Sequence, residues 1–306
     1  MAIYRRAVFL TLALALLSTC SFLPKWHVSA AETHIYVPRP QAAASTLSRH
    51  LWLDSAQQAS DLAKPGPTIE AYIRPEFAHE MRSLRPAILA AARRHNHPAL
   101  SRMTDEEFAS VITLLLYNEN FGKLEERVAP LRALTPLYQD LQMKVNETGA
   151  DLSVWPANLR PSVALEILRD ELPTPTGMIT IPIHVAGNQL QLDRFSSQQA
   201  LYAALNNEIS KPSMAVEYLA ANLERGVYRA QLEDVPVTWR ALAAWHNQGI
   251  VNAHDIRTNP TARDYVRRTA SYLPAARALI ATPTECHYLR CGIGDAEEFG
   301  EDPARW

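Results

Sequence analysis

Between Thr104 and Gly122 the chain reads T-D-E-E-F-A-S-V-I-T-L-L-L-Y-N-E-N-F-G, and one of its carboxylates falls in an unusual place. Phe108, Val111, Ile112 and Leu115 recur at the three-and-four spacing of one helical face, and Glu119 extends that row four residues beyond Leu115. Thr104 and Glu107 form a capping box at the start of this helix and Gly122 is suited to end it, so Glu119 belongs to the last turn. There the negative end of the macrodipole and burial both oppose ionisation, and the expected pKa is raised. A carboxylic acid that keeps its proton near neutral pH is what general-acid cleavage of a glycosidic bond requires. The same position suits a structural glutamate bonded to Tyr117 or to a backbone group. The residue pattern alone leaves both readings open.

Two further stretches bear on the chemistry. Ser153 to Ala164 reads S-V-W-P-A-N-L-R-P-S-V-A, and Ala241 to Gly249 reads A-L-A-A-W-H-N-Q-G. Both put amide-bearing residues where an apolar helix meets a loop, a setting that binds the amides and hydroxyls of a sugar. Taken alone, Asn158 is a turn residue before a helix and Asn247 a cap before Gly249. Other hydrolytic chemistries lack their residues: His79-Glu80 is followed by Ser83 where a zinc-protease motif needs histidine. Neither a G-x-S-x-G elbow nor a glycine-rich phosphate loop occurs, and the remaining histidines are scattered. No metal and no cofactor is expected.

The elements that must position these residues are mostly helices. Among 306 residues there are ten glycines and twenty-one prolines, which suits helices punctuated by proline. The expected class is α+β and predominantly α. A helix is expected from Ser83-Leu84-Arg85-Pro86 to Arg93-Arg94-His95, and the Thr104 helix follows it. An amphipathic segment runs from Leu131 to Lys144, and a loop carrying Glu147 and Asp151 leads to Ser153. Pro161 opens another helix. From Gly177 to Asp193 the apolar period becomes two, through Ile179, Ile181, Ile183 and Val185, a turn at Ala186-Gly187-Asn188, then Leu190 and Leu192. This predicts a hairpin inserted among helices. Helical patterns return at 197 to 209, at 212 to 225 with Gly226 closing, from Pro236 to Asn247, and from Pro260 to Leu279.

In order and register the three stretches resemble the lysozyme-like lytic transglycosylases and the goose-type lysozymes related to them. That family has a catalytic glutamate ending a helix, then S-x-G-x-x-Q-I-x-P-x-x-A, then A-x-Y-N-x-G with a tyrosine downstream. Glu119 matches the first; Ser153, Leu159, Pro161 and Ala164 match the second; Ala244, Asn247, Gly249 and Tyr265 match the third. The chain departs from the pattern at Asn120, Trp155, Asn158 and His246, which stand where serine, glycine, glutamine and tyrosine are usual. The resemblance implies a lysozyme-like helical domain that cleaves peptidoglycan. Glu119 would protonate the oxygen between N-acetylmuramic acid and N-acetylglucosamine, then take the C6 hydroxyl proton as a 1,6-anhydro ring closes. Asn120, Ser153, Trp155, Asn158, His246, Asn247 and Tyr265 would bind the glycan. A hydrolytic variant needs a second carboxylate, for which Glu147 and Asp151 are the candidates. A non-catalytic peptidoglycan-binding or scaffolding protein with a degenerate cleft is the alternative.

Residues 1 to 31 read as an export signal, with Arg5 and Arg6, an apolar run from Ala7 to Leu17 and small residues Ser29, Ala30 and Ala31. Leu17-Ser18-Thr19-Cys20 approximates a lipoprotein box, and membrane attachment through this segment is the second reading. The expected location is the periplasm or cell envelope. Residues 32 to 65 read as a linker or arm, 66 to 283 as the transglycosylase domain and 284 to 306 as a tail in which Cys286 and Cys291 close a small disulfide loop. A net charge of -2 without a Lys/Arg-rich run sets nucleic acid aside as a partner.

Overall fold

The computed structural model describes residues 34–35, 71–120, 135–249 and 252–281. The expectations for residues 1 to 31, Cys20, Gly122, Cys286 and Cys291 lie outside them. The chain divides into two compact units, Met1–Thr33 and His34–Trp306, and every described residue belongs to the second.

Helix α1, Pro75–His95, begins eight residues before the predicted start and runs through Pro86. Pro75 supplies the preorganised first turn, Glu76 meets the positive end of the dipole, and Phe77, Met81, Leu84 and Ile88 form one buried stripe across the proline. That stripe outweighs the single backbone bond Pro86 removes. A short helix α2, Pro98–Ser101, leads to α3, Asp105–Glu119. The predicted capping box forms: the Thr104 amide donates to Glu107 Oε2 at 2.7 Å, and the Glu107 amide donates to Thr104 Oγ1 at 3.1 Å. Every residue from Phe108 to Asn118 is buried. The helix is therefore central rather than one-faced. It packs against α1 and against four later helices: α7 (Pro212–Leu232), α8 (Trp239–Gln248), α10 (Pro260–Ala270) and α11 (Leu273–Ile280).

Helix α4, Thr135–Asn146, and α5, Pro161–Leu168, flank the loop of the second motif. The hairpin exists but sits upstream of the predicted one. Strand β2, Glu171–Thr174, pairs antiparallel with β3, Gly177–Thr180, and β1, His34–Ile35, joins β3 in parallel. The return strand expected at Leu190 and Leu192 is absent, because the apolar alternation from 181 to 185 belongs to extended chain rather than to a ladder. Ile181, Ile183 and Val185 are buried while Pro182 and His184 are exposed. The Ile181 amide donates to the Asp170 carbonyl at 2.7 Å and the Ile183 amide to Asp170 Oδ1 at 3.0 Å. One residue thus satisfies backbone donors that a strand would otherwise have to meet.

Helix α6, Gln198–Ile209, starts at its Ser197 cap. Helix α7 continues past Gly226 to Leu232. The glycine is there for close packing instead of termination: a Cβ on it would stand 2.7 Å from Trp245 Cδ1 and 3.0 Å from Leu242 Cδ2. Helix α8 docks into that space and ends at Gly249, whose φ of 68° suits a left-handed cap. A short α9, Ala253–Thr258, precedes α10 and α11, which break at Ser271 and Tyr272 where one continuous helix was expected. Among the described residues no helix is long and apolar enough to cross a membrane. The expectation of a predominantly helical α+β chain with a small hairpin holds.

Candidate active site

Glu119 is the last residue of α3, and its side chain is 7% exposed. Oε2 accepts from Asn158 Nδ2 at 2.7 Å, and Oε1 accepts from the Tyr265 hydroxyl. His246 Nε2 stands 3.9 Å from Oε1. The carboxylate thus meets one group from each of the other two motif stretches and from the downstream tyrosine. Its bonds go to Asn158 and Tyr265 rather than to Tyr117.

Asn158 arrives on a turn closed by reciprocal bonds between Val154 and Leu159, with N to O distances of 2.8 and 3.2 Å. Its φ of 53° is a left-handed position that asparagine tolerates better than most side chains. The turn is anchored from behind. Asn146 bridges Leu152 through Nδ2 to the carbonyl at 2.7 Å and Oδ1 from the amide at 3.0 Å, and Asp151 Oδ1 accepts from the Ser162 amide at 2.8 Å.

Tyr265, on α10, is 2% exposed. Burial first, then the negative charge of Glu119, pushes its hydroxyl well above the usual tyrosine range, so it remains a donor. Burial pulls His246 below the usual histidine range, against the opposing pull of Glu119 and the Ala157 carbonyl. The site therefore presents one carboxyl group, a neutral imidazole and two hydrogen-bond donors, an arrangement able to give a proton and take one back.

The other predicted residues bond or pack elsewhere, or stand exposed. Asn120 is 1% exposed and its Oδ1 accepts from Arg74 at 2.7 Å. Ser153 Oγ accepts from Gln142 Nε2 at 3.4 Å. The Trp155 ring packs on Phe77 with centroids 5.8 Å apart, inside the aromatic row that continues through Tyr117 to Tyr272. Asn247 is exposed, with Oδ1 accepting from Gln248 at 2.5 Å. Of the two candidate second carboxylates, Glu147 is exposed on its loop and Asp151 supports the start of α5. A surface concavity of about 450 Å³ lies beside that loop, lined by Thr148, Gly149, Ala150, Gln198, Gln199 and Tyr202, and Glu119 is not part of its lining. Among the described residues no three His, Cys, Asp or Glu side chains are grouped to hold a metal.

A second buried polar group belongs to none of the three motif stretches. His95, at the end of α1 and 1% exposed, faces Glu224 Oε2 at 2.7 Å through Nδ1 and Glu217 Oε1 at 3.1 Å through Nε2. Carboxylates only accept, so both ring nitrogens carry protons. Arg94 adds two bonds to Glu217, the Ala186 amide a third at 2.9 Å, and His97 meets Glu224 at 2.5 Å. Burial opposes charge on His95, yet the bonds to Glu217 and Glu224 raise its pKa. Burial likewise pushes Glu217 up, but the bonds from His95, Arg94 and Ala186 outweigh it and hold the carboxyl at about 2. This cluster ties α1 to α7. In sequence it shows only as three basic residues at a helix end.

No protein-family model matches the chain, and no curated protein or solved structure matches it.

Proposed function

We propose that this is an exported enzyme whose Glu119 site cleaves the β-1,4 bond between N-acetylmuramic acid and N-acetylglucosamine in peptidoglycan, as a lysozyme-like lytic transglycosylase. What supports this reading is the convergence on one carboxylate of Asn158, His246 and Tyr265, which come from three stretches far apart in the chain.

The chemistry needs one carboxyl group. Glu119 gives its proton to the glycosidic oxygen as the C1–O bond breaks, and the bonding pair leaves with that oxygen. The muramic C6 hydroxyl then attacks C1, its proton passes to the Glu119 carboxylate, and the acid is restored with a 1,6-anhydro product. Asn158 and Tyr265 stabilise the carboxylate between the two transfers. Asp151 is already engaged with the Ser162 amide, which favours this single-carboxylate route over activation of water by a second acid.

Purified protein is expected to release soluble anhydro-muropeptides from cell wall, read by mass spectrometry, and Glu119→Gln is expected to abolish the release. Undiminished release by the variant would sink the proposal. Wall binding without released sugar in both proteins would point to a non-catalytic peptidoglycan binder, and products heavier by one water to hydrolysis.

A further inference from the structure

Adjoining the Glu119 group is a row of buried polar side chains that no step of the proposed reaction uses. Arg225 of α7 is 1% exposed, and its guanidinium donates to Glu166 Oε2 at 2.6 Å and to Asn222 Oδ1 at 3.2 Å. A guanidinium only donates, so the second bond fixes which end of the Asn222 amide is the carbonyl. The NH2 of Asn222, itself 4% exposed, is thereby turned to His246, with Nδ2 3.4 Å from Nδ1. An amide NH2 also only donates, so Nδ1 must offer its lone pair. The one proton of the neutral ring is left on Nε2, which donates to the Ala157 carbonyl and stands 3.9 Å from Glu119 Oε1.

We propose that Asn222 and Arg225 are positioning residues which hold His246 as the neutral imidazole protonated on Nε2, with that N–H on the side of the ring that faces the Ala157 carbonyl and Glu119. The inference rests on the reading of Glu119 as the acid. Its chemical sense lies in the charge. An imidazolium at this distance would hold the carboxyl ionised and spoil a proton donor, whereas a neutral N–H supports the carboxylate formed by proton transfer without opposing the acid before it. Protonating Nδ1 would set two donors against each other, because Asn222 cannot turn over without losing Arg225. Where the family pattern has tyrosine, this chain thus has a histidine restricted to the neutral donor role that a hydroxyl fills.

The test is ¹⁵N-detected NMR of the imidazole nitrogens in the full-length protein at neutral pH, with His246 assigned by the signals lost in His246→Gln. The parent and Glu119→Gln are both expected to show Nε2 protonated and Nδ1 bare. Asn222→Asp, whose carboxylate can only accept, is expected to move a proton onto Nδ1 and to lower muropeptide release about tenfold or more, the order for one hydrogen bond to a charged group. A parent ring protonated on Nδ1, or on both nitrogens, overturns the inference, as does a ring that changes form in Glu119→Gln. The parent spectrum decides the tautomer even if Asn222→Asp does not fold. The two readings fail separately: the expected ring form in a protein that releases no sugar defeats the wall-cleaving function alone, and sugar release with Nδ1 protonated defeats this inference alone.

Discussion

Tyr265 keeps its proton because burial and the neighbouring carboxylate both oppose a phenolate, and so it is a dependable donor to Glu119 Oε1. Tyr265→Phe leaves the ring packing intact and removes only the hydroxyl. Wall cleavage is expected to fall roughly tenfold to a hundredfold, since hydrogen bonds to charged groups are worth about 1.5–3 kcal/mol, and unfolding free energy is expected to fall by a similar amount. Rates of muropeptide release and urea unfolding, measured on the same preparation, separate the two effects. At this scale the sequence was informative where a residue interrupts a pattern: Glu119 stands on an apolar face, and Asn158 and His246 stand at helix–loop junctions. Asn222 and Arg225 carry no such mark. They sit in mid-helix, and their partners Glu166 and His246 lie on other helices, so nothing in the local spacing pointed to them.

Helices depend on one another here through a few close approaches. Gly226 admits Trp245, whose indole N–H donates to the Asn222 carbonyl at 3.2 Å, and that contact sets α8 and therefore His246 against α7. Gly226→Ala puts a methyl group into the space of Trp245 Cδ1. Although alanine favours a helix more than glycine does, the overlap is expected to destabilise the protein by about 1–3 kcal/mol, checked as a lower midpoint in urea. An unchanged or raised midpoint would show that α8 can shift without cost. Glycine in a helical pattern reads equally well as an end or as a contact, and only the neighbouring helix decides. The hairpin shows the same limit: alternation reported which residues from 181 to 185 are buried, while the pairing partner was a matter of tertiary position.

For the whole molecule, acid and base stability should follow the buried cluster between α1 and α7. Glu217 is held at about 2 against an ordinary carboxylate value of 4.5, so its contribution is complete above 4.5 and is lost as pH falls toward about 2. His95 is raised above 6.5, so its contribution is complete below 6.5 and is lost as pH rises through the raised value. The urea midpoint is therefore expected to be highest between these two ordinary values and to decline on both sides, with Glu217→Gln flattening the acid limb. A parent midpoint that stays level as pH falls from 4.5 to 2 would contradict this account.

What the sequence by itself determined is local: the capping box, the starts of α5, α6 and α7, the predominance of helix, and a carboxylate on the apolar face at the end of a helix. These follow from neighbours three or four residues apart, whose energies do not depend on the rest of the chain. Tertiary structure alone decided that Asn158 and Tyr265 bond to Glu119, that His246 stands beside it, that Asp151 supports a helix instead, and that two glutamates share His95. Those arrangements depend on which helices meet. The meeting is set by close packing and by buried polar groups that must find partners across long stretches of sequence, and no local period records it.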